Sequence, residues 1–179
     1  MKRFLWWGVG LVVSILFLSQ PAMAQDINDF DILSFDADYH LSKDSEGRSM
    51  LKTTETITAS FPLFDQNHGI ERALPEVYDG HPTGLTVESV TNQTGDAIPY
   101  ETRSSSDNRV LRIGDANTYV RGKQVYVITY TQRDVTRFFQ DTNSDEFYWD
   151  VNGTQWRQQI DSVTARFWIP GPASQSRND

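Results

Sequence analysis

The clearest pattern in the chain is an alternation of apolar and polar residues that starts after residue 30. Five apolar residues share one parity there: Leu33, Phe35, Ala37, Tyr39 and Leu41. A period of two is typical of a β-strand with one buried face. A second alternating segment, from residue 51 to residue 61, follows turn chemistry around Gly47. Together the two segments predict a long antiparallel hairpin.

Shorter segments of strand character follow, the first of them within a stretch from residue 62 to residue 84 that is rich in proline and glycine. The patterns predict strands at residues 70–74, 85–90, 98–103, 110–113, 125–130, 147–151 and 160–169. Residues 125–130 are β-branched or aromatic on both parities, which favours a central strand buried on both faces. Because no window has helical periodicity, the sequence predicts an all-β domain, an antiparallel β-sandwich of roughly eight or nine strands.

The start of the chain has the three parts of a secretory signal peptide. Lys2 and Arg3 are basic, an apolar run continues to Leu18, and the small residues Ala22 and Ala24 form a cleavage site. We therefore predict an exported protein that is extracytoplasmic, either associated with the membrane or secreted. The predicted divisions are a signal peptide at 1–24, a linker at 25–30, the β-sandwich at 31–170, and a polar tail or linker start at 171–179.

Charge and composition exclude several classes of partner and site. The chain has 24 acidic and 16 basic residues and a net charge of −8 at pH 7. This charge argues against binding to nucleic acid and against direct adhesion to anionic lipid headgroups. The chain has no cysteine, so disulfides, thiolate zinc sites and cysteine nucleophiles are excluded. Its three histidines form no pair with metal-ligand spacing.

One pair of carboxylates suggests catalysis. Glu146 and Asp150 share a parity within a predicted strand, which would separate them by about 7 Å. Such a separation suits an inverting glycosidase, and Glu71 in the same cleft would strengthen that interpretation. With 24 carboxylates in the chain, a pair of this kind is also expected by chance. We therefore predict no catalytic residue, and the alternative is a carboxylate-based hydrolase acting on a cell-envelope polymer.

A second polar segment raises the question of a metal. Asp141, Asn143 and Asp145 place oxygen ligands at alternate positions, as at the start of a calcium-binding loop. Glu146 then stands where such a loop needs glycine. A polar hairpin turn explains the same residues. We predict no cofactor, with calcium at these three residues as the alternative.

The late aromatic residues and one arginine are predicted to have structural or interaction roles. Trp149 lies on a core parity, Trp156 follows a glycine turn and would close one end of the domain, and Trp168 lies on an outward parity that suits an interaction surface. Arg72 lies in a loop between two prolines, where its guanidinium could bind a carboxylate through two parallel hydrogen bonds. The predicted partner is Glu146 or Asp150.

Three strings, in order along the chain, resemble a known family. They are Gly69-Ile70-x-Arg72-x-x-Pro75, Leu111 to Gly114 with Gly122 to Tyr130, and Glu146 to Gly153 continued to Trp156 and Ile160. They resemble elements of the N-terminal domain of the predicted membrane protein family of unknown function 2207 (DUF2207), over residues 30–170. The last string, with its two tryptophans around a glycine, is the most specific.

The resemblance implies an extracytoplasmic domain that follows a signal peptide and precedes transmembrane helices. No catalytic residues are established for this family, so none is carried over. The chain ends at Asp179, and two expectations stay open: a fragment whose missing C-terminal segment tethers it to the membrane, and a soluble form. The predicted function is a non-catalytic binding or scaffold module whose partner is an envelope protein or polymer.

Overall fold

The computed structural model describes residues 26–169. These residues form twelve β-strands and no helix, which confirms the all-β prediction. The strands are β1 (Asp31–Lys43), β2 (Ser49–Phe61), β3 (Ile70–Pro75), β4 (Val77–Tyr78), β5 (His81–Pro82), β6 (Thr86–Thr91), β7 (Tyr100–Ser105), β8 (Asn108–Ile113), β9 (Gly122–Arg133), β10 (Arg137–Phe139), β11 (Ser144–Glu146) and β12 (Val163–Trp168). The predicted signal peptide and polar tail lie outside the described residues.

The largest sheet has five strands in the order β12-β1-β2-β9-β6. β1 and β2 pair in antiparallel register, with Phe35 opposite Ile57, so the predicted hairpin is confirmed. β2 also pairs with β9, in which Tyr126 lies opposite Ile57. The apolar residues of one parity thereby form a continuous layer across three strands, because successive side chains in a strand point to opposite faces.

A second sheet has three strands in the order β3-β8-β7, and two small hairpins pair β4 with β5 and β10 with β11. One hydrophobic core receives side chains from both larger sheets, including Phe35, Ile57 and Tyr126 from the first and Leu74 and Leu111 from the second. The core therefore forms where the inward faces of these sheets contact each other. The sandwich arrangement itself stays a prediction.

Three local predictions are corrected by the structure. Residues 147–151 form no strand, and the Val151 carbonyl oxygen at the end of this stretch accepts a bond from the Tyr39 hydroxyl. β12 pairs with β1 in parallel, so the large sheet is not wholly antiparallel. A shift in register between Ile32 and Ser34 buries Ile32 and turns Leu33 outward, against the predicted parity.

The predicted central strand, now β9, is flanked by β2 and β6 as expected. Only one of its faces is fully buried, since Tyr126, Ile128 and Tyr130 alternate with half-buried residues. The predicted linker lies against the domain, because the side chain of Gln66 donates to the Asp26 carbonyl oxygen at 2.8 Å.

Candidate functional site

The most deeply buried charged residues form one ion pair between the two larger sheets. The side chains of Arg72, on β3, and Glu55, on β2, are 4% and 0% exposed. Arg72 Nε donates to Glu55 Oε2 at 2.7 Å, and Arg72 Nη2 donates to Glu55 Oε1 at 2.6 Å. This two-point fork is the strongest geometry in which a guanidinium binds a carboxylate. The pair therefore joins the three-stranded sheet to the five-stranded sheet.

Neighbouring groups satisfy the remaining polar atoms of the pair. The Tyr130 hydroxyl donates to Glu55 Oε1 at 2.8 Å, and Arg72 Nη1 donates to the Asn152 carbonyl oxygen at 2.9 Å. The same carbonyl oxygen accepts a bond from Trp156 Nε1 at 2.8 Å. A buried ion pair destabilises a fold unless such bonds compensate for the loss of water. We call Arg72, Glu55, Tyr130, Asn152 and Trp156 the Arg72 cluster.

The Arg72 cluster is tightly enclosed. The guanidinium carbon lies 5.2 Å from the centre of the Phe35 ring and 5.7 Å from that of the Trp156 ring, within the range of cation–π attraction. Gly153 passes so close that an added Cβ would lie 2.8 Å from Arg72 Nη1, at a φ of 72°. The positive φ favours glycine there, and an added Cβ would displace the end of the Arg72 side chain from its bonds.

Burial and charge fix the protonation of the cluster. Burial raises the pKa of Tyr130 well above its ordinary value, and the negative charge of Glu55 raises it further. Burial alone would lower the pKa of Arg72, but the Glu55 carboxylate outweighs burial and raises it. Burial likewise raises the pKa of Tyr39, whose hydroxyl donates to the Val151 carbonyl oxygen at 2.8 Å. These groups therefore hold hydrogen bonds and are unsuited to proton transfer near neutral pH.

The predicted partner of Arg72 was wrong. Its partner is Glu55, whereas Glu146 lies at the end of β11 opposite Arg137 and Asp150 is an exposed loop residue. Glu55 was missed, although it shares the inward parity of β2 with Leu51 and Ile57. A carboxylate on an apolar parity signals a buried charge that needs a partner, and that signal was available in the sequence.

The three predicted tryptophans occupy different environments. Trp156 belongs to the Arg72 cluster. Trp149 is half-buried against the core, and its ring lies 5.5 Å from that of Tyr78 and 5.8 Å from that of Phe147. Trp168 is 45% exposed and stacks on His40 at 4.4 Å. Phe167 is equally exposed, at 46%, so an outward parity does not set Trp168 apart, and its interaction role stays a prediction.

A continuous series of rings connects Trp149 to β12. Phe167 lies 5.8 Å from Phe147, Phe147 lies 5.8 Å from Trp149, and Trp149 contacts Tyr78. We call Phe167, Phe147, Trp149 and Tyr78 the aromatic row. It extends across the surface from the edge of the large sheet to the β4–β5 hairpin.

The carboxylates that suggested a hydrolase line three different clefts. Glu71 lines a cleft of about 380 Å³ beside Arg112 and Trp156. Glu146 lines one of about 330 Å³, and Asp150 one of about 230 Å³. The last two clefts have Tyr78, Asp79 and Tyr148 in common. Among residues 26–169, none of these three clefts brings Glu71, Glu146 and Asp150 together.

The three residues of the calcium hypothesis lie around the β10–β11 turn. Asn143 has a φ of 47°, a conformation that asparagine tolerates in turns, and Asp145 lies 3.8 Å from Lys43. Among residues 26–169, no group of three or more histidine, cysteine, aspartate or glutamate side chains could hold a metal ion. The prediction of no cofactor and its alternative, calcium at Asp141, Asn143 and Asp145, both stay untested.

A family model described as "Predicted membrane protein (DUF2207) N-terminal domain" matches residues 31–178. No curated protein matches the chain. Within residues 26–169, no helix could cross a membrane.

Two solved structures are distantly similar, and in each the match covers part of a larger enzyme. A two-domain M1 zinc metallopeptidase bound to L-arginine is 13% identical, with a TM-score of 0.39; the match covers 77% of this chain and 32% of that one. Leukotriene A4 hydrolase from Saccharomyces cerevisiae is 18% identical, with a TM-score of 0.37; the match covers 62% of this chain and 17% of that one. Similarities this distant carry no information on activity.

Proposed function

This chain belongs to the DUF2207 family of predicted membrane proteins, and on that premise we propose that it is an extracytoplasmic, non-catalytic binding or scaffold module. The partner would be a protein or polymer of the cell envelope. One observation carries this proposal. The only deeply buried ion pair among the described residues, Arg72 with Glu55, links the two larger sheets. Its polar atoms are occupied by other protein groups, which leaves none to act on a substrate.

The distribution of carboxylates supports the same proposal. General acid–base catalysis on a glycosidic bond needs two carboxyl groups on either side of that bond. Glu71 lines a different cleft from Glu146 and Asp150, whose own clefts adjoin, so the three candidates do not share one site. Large apolar side chains, by contrast, are exposed at β12 and beside it, as is typical of a surface that contacts partners.

Two experiments test the two parts of the proposal. An alkaline phosphatase reporter fused after Asp179 should be active, because this enzyme matures only outside the cytoplasm. The matched control lacks residues 1–24 and should be inactive. An inactive reporter on the full chain would contradict the extracytoplasmic location.

The non-catalytic part is tested with the full chain and fragments of peptidoglycan and of envelope polysaccharide. We expect no bond cleavage by mass spectrometry, and the same result for Glu146→Gln and Asp150→Asn. Cleavage that either substitution abolishes would establish the carboxylate-based hydrolase instead.

A further inference from the structure

We propose that the free edge of β12 is a docking site for an extended, basic segment of another polypeptide, which pairs with β12 as an additional strand. The proposal rests on the proposed function as a binding module and names its surface and its class of partner. It is based on the backbone of β12, on the side chains around it and on the charge of the domain.

The backbone of β12 has one unused edge. β12 is the outermost strand of the five-stranded sheet and pairs only with β1 among the described strands. Phe35 N donates to the Ser162 carbonyl oxygen at 2.9 Å. In a parallel ladder every second residue bonds to the neighbouring strand, so Thr164 and Arg166 continue this ladder. The backbone N–H and C=O groups of Val163, Ala165 and Phe167 therefore point away from the sheet.

The two edges of the large sheet differ in their protection against added strands. At the opposite edge, β6 has a register shift between Val87 and Ser89, and Glu88 on this strand forms an ion pair with Lys52. Bulges and charges are the usual means by which proteins prevent pairing at an edge. β12 has no register shift and contains no proline or lysine. Its single charge, Arg166, is directed back to Asp38 on β1 at 2.9 Å.

Exposed apolar side chains surround the free edge. Val163, Phe167, Trp168 and Ile169 are 47%, 46%, 45% and 70% exposed. Phe167 is also the first ring of the aromatic row, so apolar surface continues from the strand toward the β4–β5 hairpin. A peptide that paired with β12 would bury these side chains with those of its own alternate residues, which is how strand addition combines affinity with specificity.

Charge indicates which kind of strand fits. The chain has a net charge of −8, and within residues 26–169 Glu146, Asp150 and Asp161 have no salt-bridge partner. Asp161 lies two residues before β12, and Glu146 directly precedes Phe147, which contacts Phe167. The negative charge of the domain would attract lysine or arginine side chains of a paired segment, which could also lie on the faces of exposed rings. A second copy of this acidic chain would meet electrostatic repulsion, so the occupant is a basic segment of a different protein.

The test uses the full chain and a dye-labelled peptide of about eight residues that alternates lysine with valine. Fluorescence anisotropy should give saturable binding with a Kd on the order of micromolar. Two control peptides separate the contributions. N-methylation of alternate amides, which blocks backbone pairing, should abolish binding, and replacing lysine by glutamate should weaken it at least about tenfold.

Two variants at one position locate the site on β12. Ala165→Pro removes a backbone N–H that points away from β1, so the fold should be kept while affinity falls about tenfold or more. Ala165→Val keeps that N–H and should bind within about twofold of wild type. Circular dichroism and melting temperature verify the fold of both variants.

The outcomes distinguish this proposal from the proposed function. Equal affinity of Ala165→Pro and wild type, or no binding of the lysine–valine peptide, would overturn the docking site and leave the non-catalytic module standing. Sedimentation that shows a dimer lost in Ala165→Pro would make a second copy the occupant and also overturn the proposal. Polymer cleavage sensitive to Glu146→Gln would overturn the proposed function, whatever the peptide result.

Discussion

The segment from residue 147 to residue 156 has two ends with opposite chemistry. At its later end, Asn152, Gly153 and Trp156 enclose a buried ion pair whose polar atoms have partners. At its earlier end, Phe147 and Trp149 belong to the aromatic row, which reaches exposed rings on β12. The first region places charge inside the protein, and the second leaves apolar surface outside. Buried, fully bonded charge indicates a structural role, whereas exposed apolar surface beside a free strand edge indicates a contact surface.

This difference predicts that substitutions in the two regions change different measurements. Changes in the Arg72 cluster should lower the free energy of unfolding, because they leave buried polar groups without partners. Changes at the free edge of β12 should affect binding more than stability, because the side chains there are about half exposed.

The largest effect is expected for Arg72→Ala. It leaves the Glu55 carboxylate buried and unpaired, and the free energy of unfolding should fall by about 3 to 5 kcal/mol. Urea unfolding followed by circular dichroism measures this change. The control, Arg112→Ala on β8, removes an exposed arginine and should lose under about 1 kcal/mol. Equal losses for the two variants would contradict the structural role of the pair.

A double substitution sharpens this result. Replacing both partners, with Arg72→Met and Glu55→Leu, removes both charges and should recover much of the stability lost by Arg72→Ala alone. Full recovery is not expected, because the Tyr130 hydroxyl and the Asn152 carbonyl oxygen lose bonds to the pair. A double variant less stable than Arg72→Ala would show that the charges themselves are required.

The second effect tests the enclosure of Arg72. Gly153→Ala introduces a Cβ against Arg72 Nη1 at a positive φ, and unfolding free energy should fall by about 2 to 3 kcal/mol. Gly95→Ala is the matched control, since Gly95 has a φ of 92° and nothing within 4 Å of an added Cβ. The free energy of unfolding of Gly95→Ala should fall by about 1 kcal/mol, the cost of a positive φ for alanine. Equal losses would mean that the contact with Arg72 does not matter.

The third effect depends on pH. The pKa of Tyr130 is raised in the folded protein, so the unfolded chain releases this proton first, at about pH 10. Above that pH the unfolded state binds fewer protons than the folded state, and stability falls as pH rises; below it, stability is fully kept. Tyr130→Phe should remove about 1.4 kcal/mol of the loss between pH 9 and pH 11.

The control for this pH effect comes from the outer region. Trp168→Ala neither adds nor removes a titratable group. Its free energy of unfolding should therefore fall between pH 9 and pH 11 as much as that of the wild type, in the same urea titrations. A Tyr130→Phe curve parallel to the wild-type curve would show that Tyr130 does not keep its proton in the folded state above pH 10.

The smallest effect on stability is expected for Trp168→Ala. Its ring is 45% exposed, so unfolding free energy should fall by about 1 to 2 kcal/mol, less than for Arg72→Ala or Gly153→Ala. Affinity for the lysine–valine peptide should nevertheless fall several-fold, because aromatic side chains are common anchors at binding surfaces. A large loss of stability without a loss of affinity would reverse the assignment of the two regions.

Local patterns in the sequence determined the class of fold and most strands. The alternation in residues 33–41 and 51–61 predicted β1, β2 and their hairpin, because the side-chain period of a strand and the residues of a turn are local properties. Strings in the sequence also indicated the family that the family model shows. The alternation in β2 also placed Glu55 on the inward face. Nothing in the sequence, however, identified Arg72 as its partner.

Only the tertiary structure decided which distant residues meet. Glu55 could pair with any arginine until the packing of β3 on β2 brought Arg72 to it, and the sequence offered Glu146 and Asp150 as plausible partners for the same guanidinium. The parallel pairing of β12 with β1 joins residues 128 apart, such as Asp38 and Arg166. Residues 147–151 have a strand pattern but form none, and the Val151 and Asn152 carbonyl oxygens accept bonds from Tyr39, Arg72 and Trp156. Long-range partners of this kind override local preference, since a buried donor without an acceptor costs more than a short strand contributes.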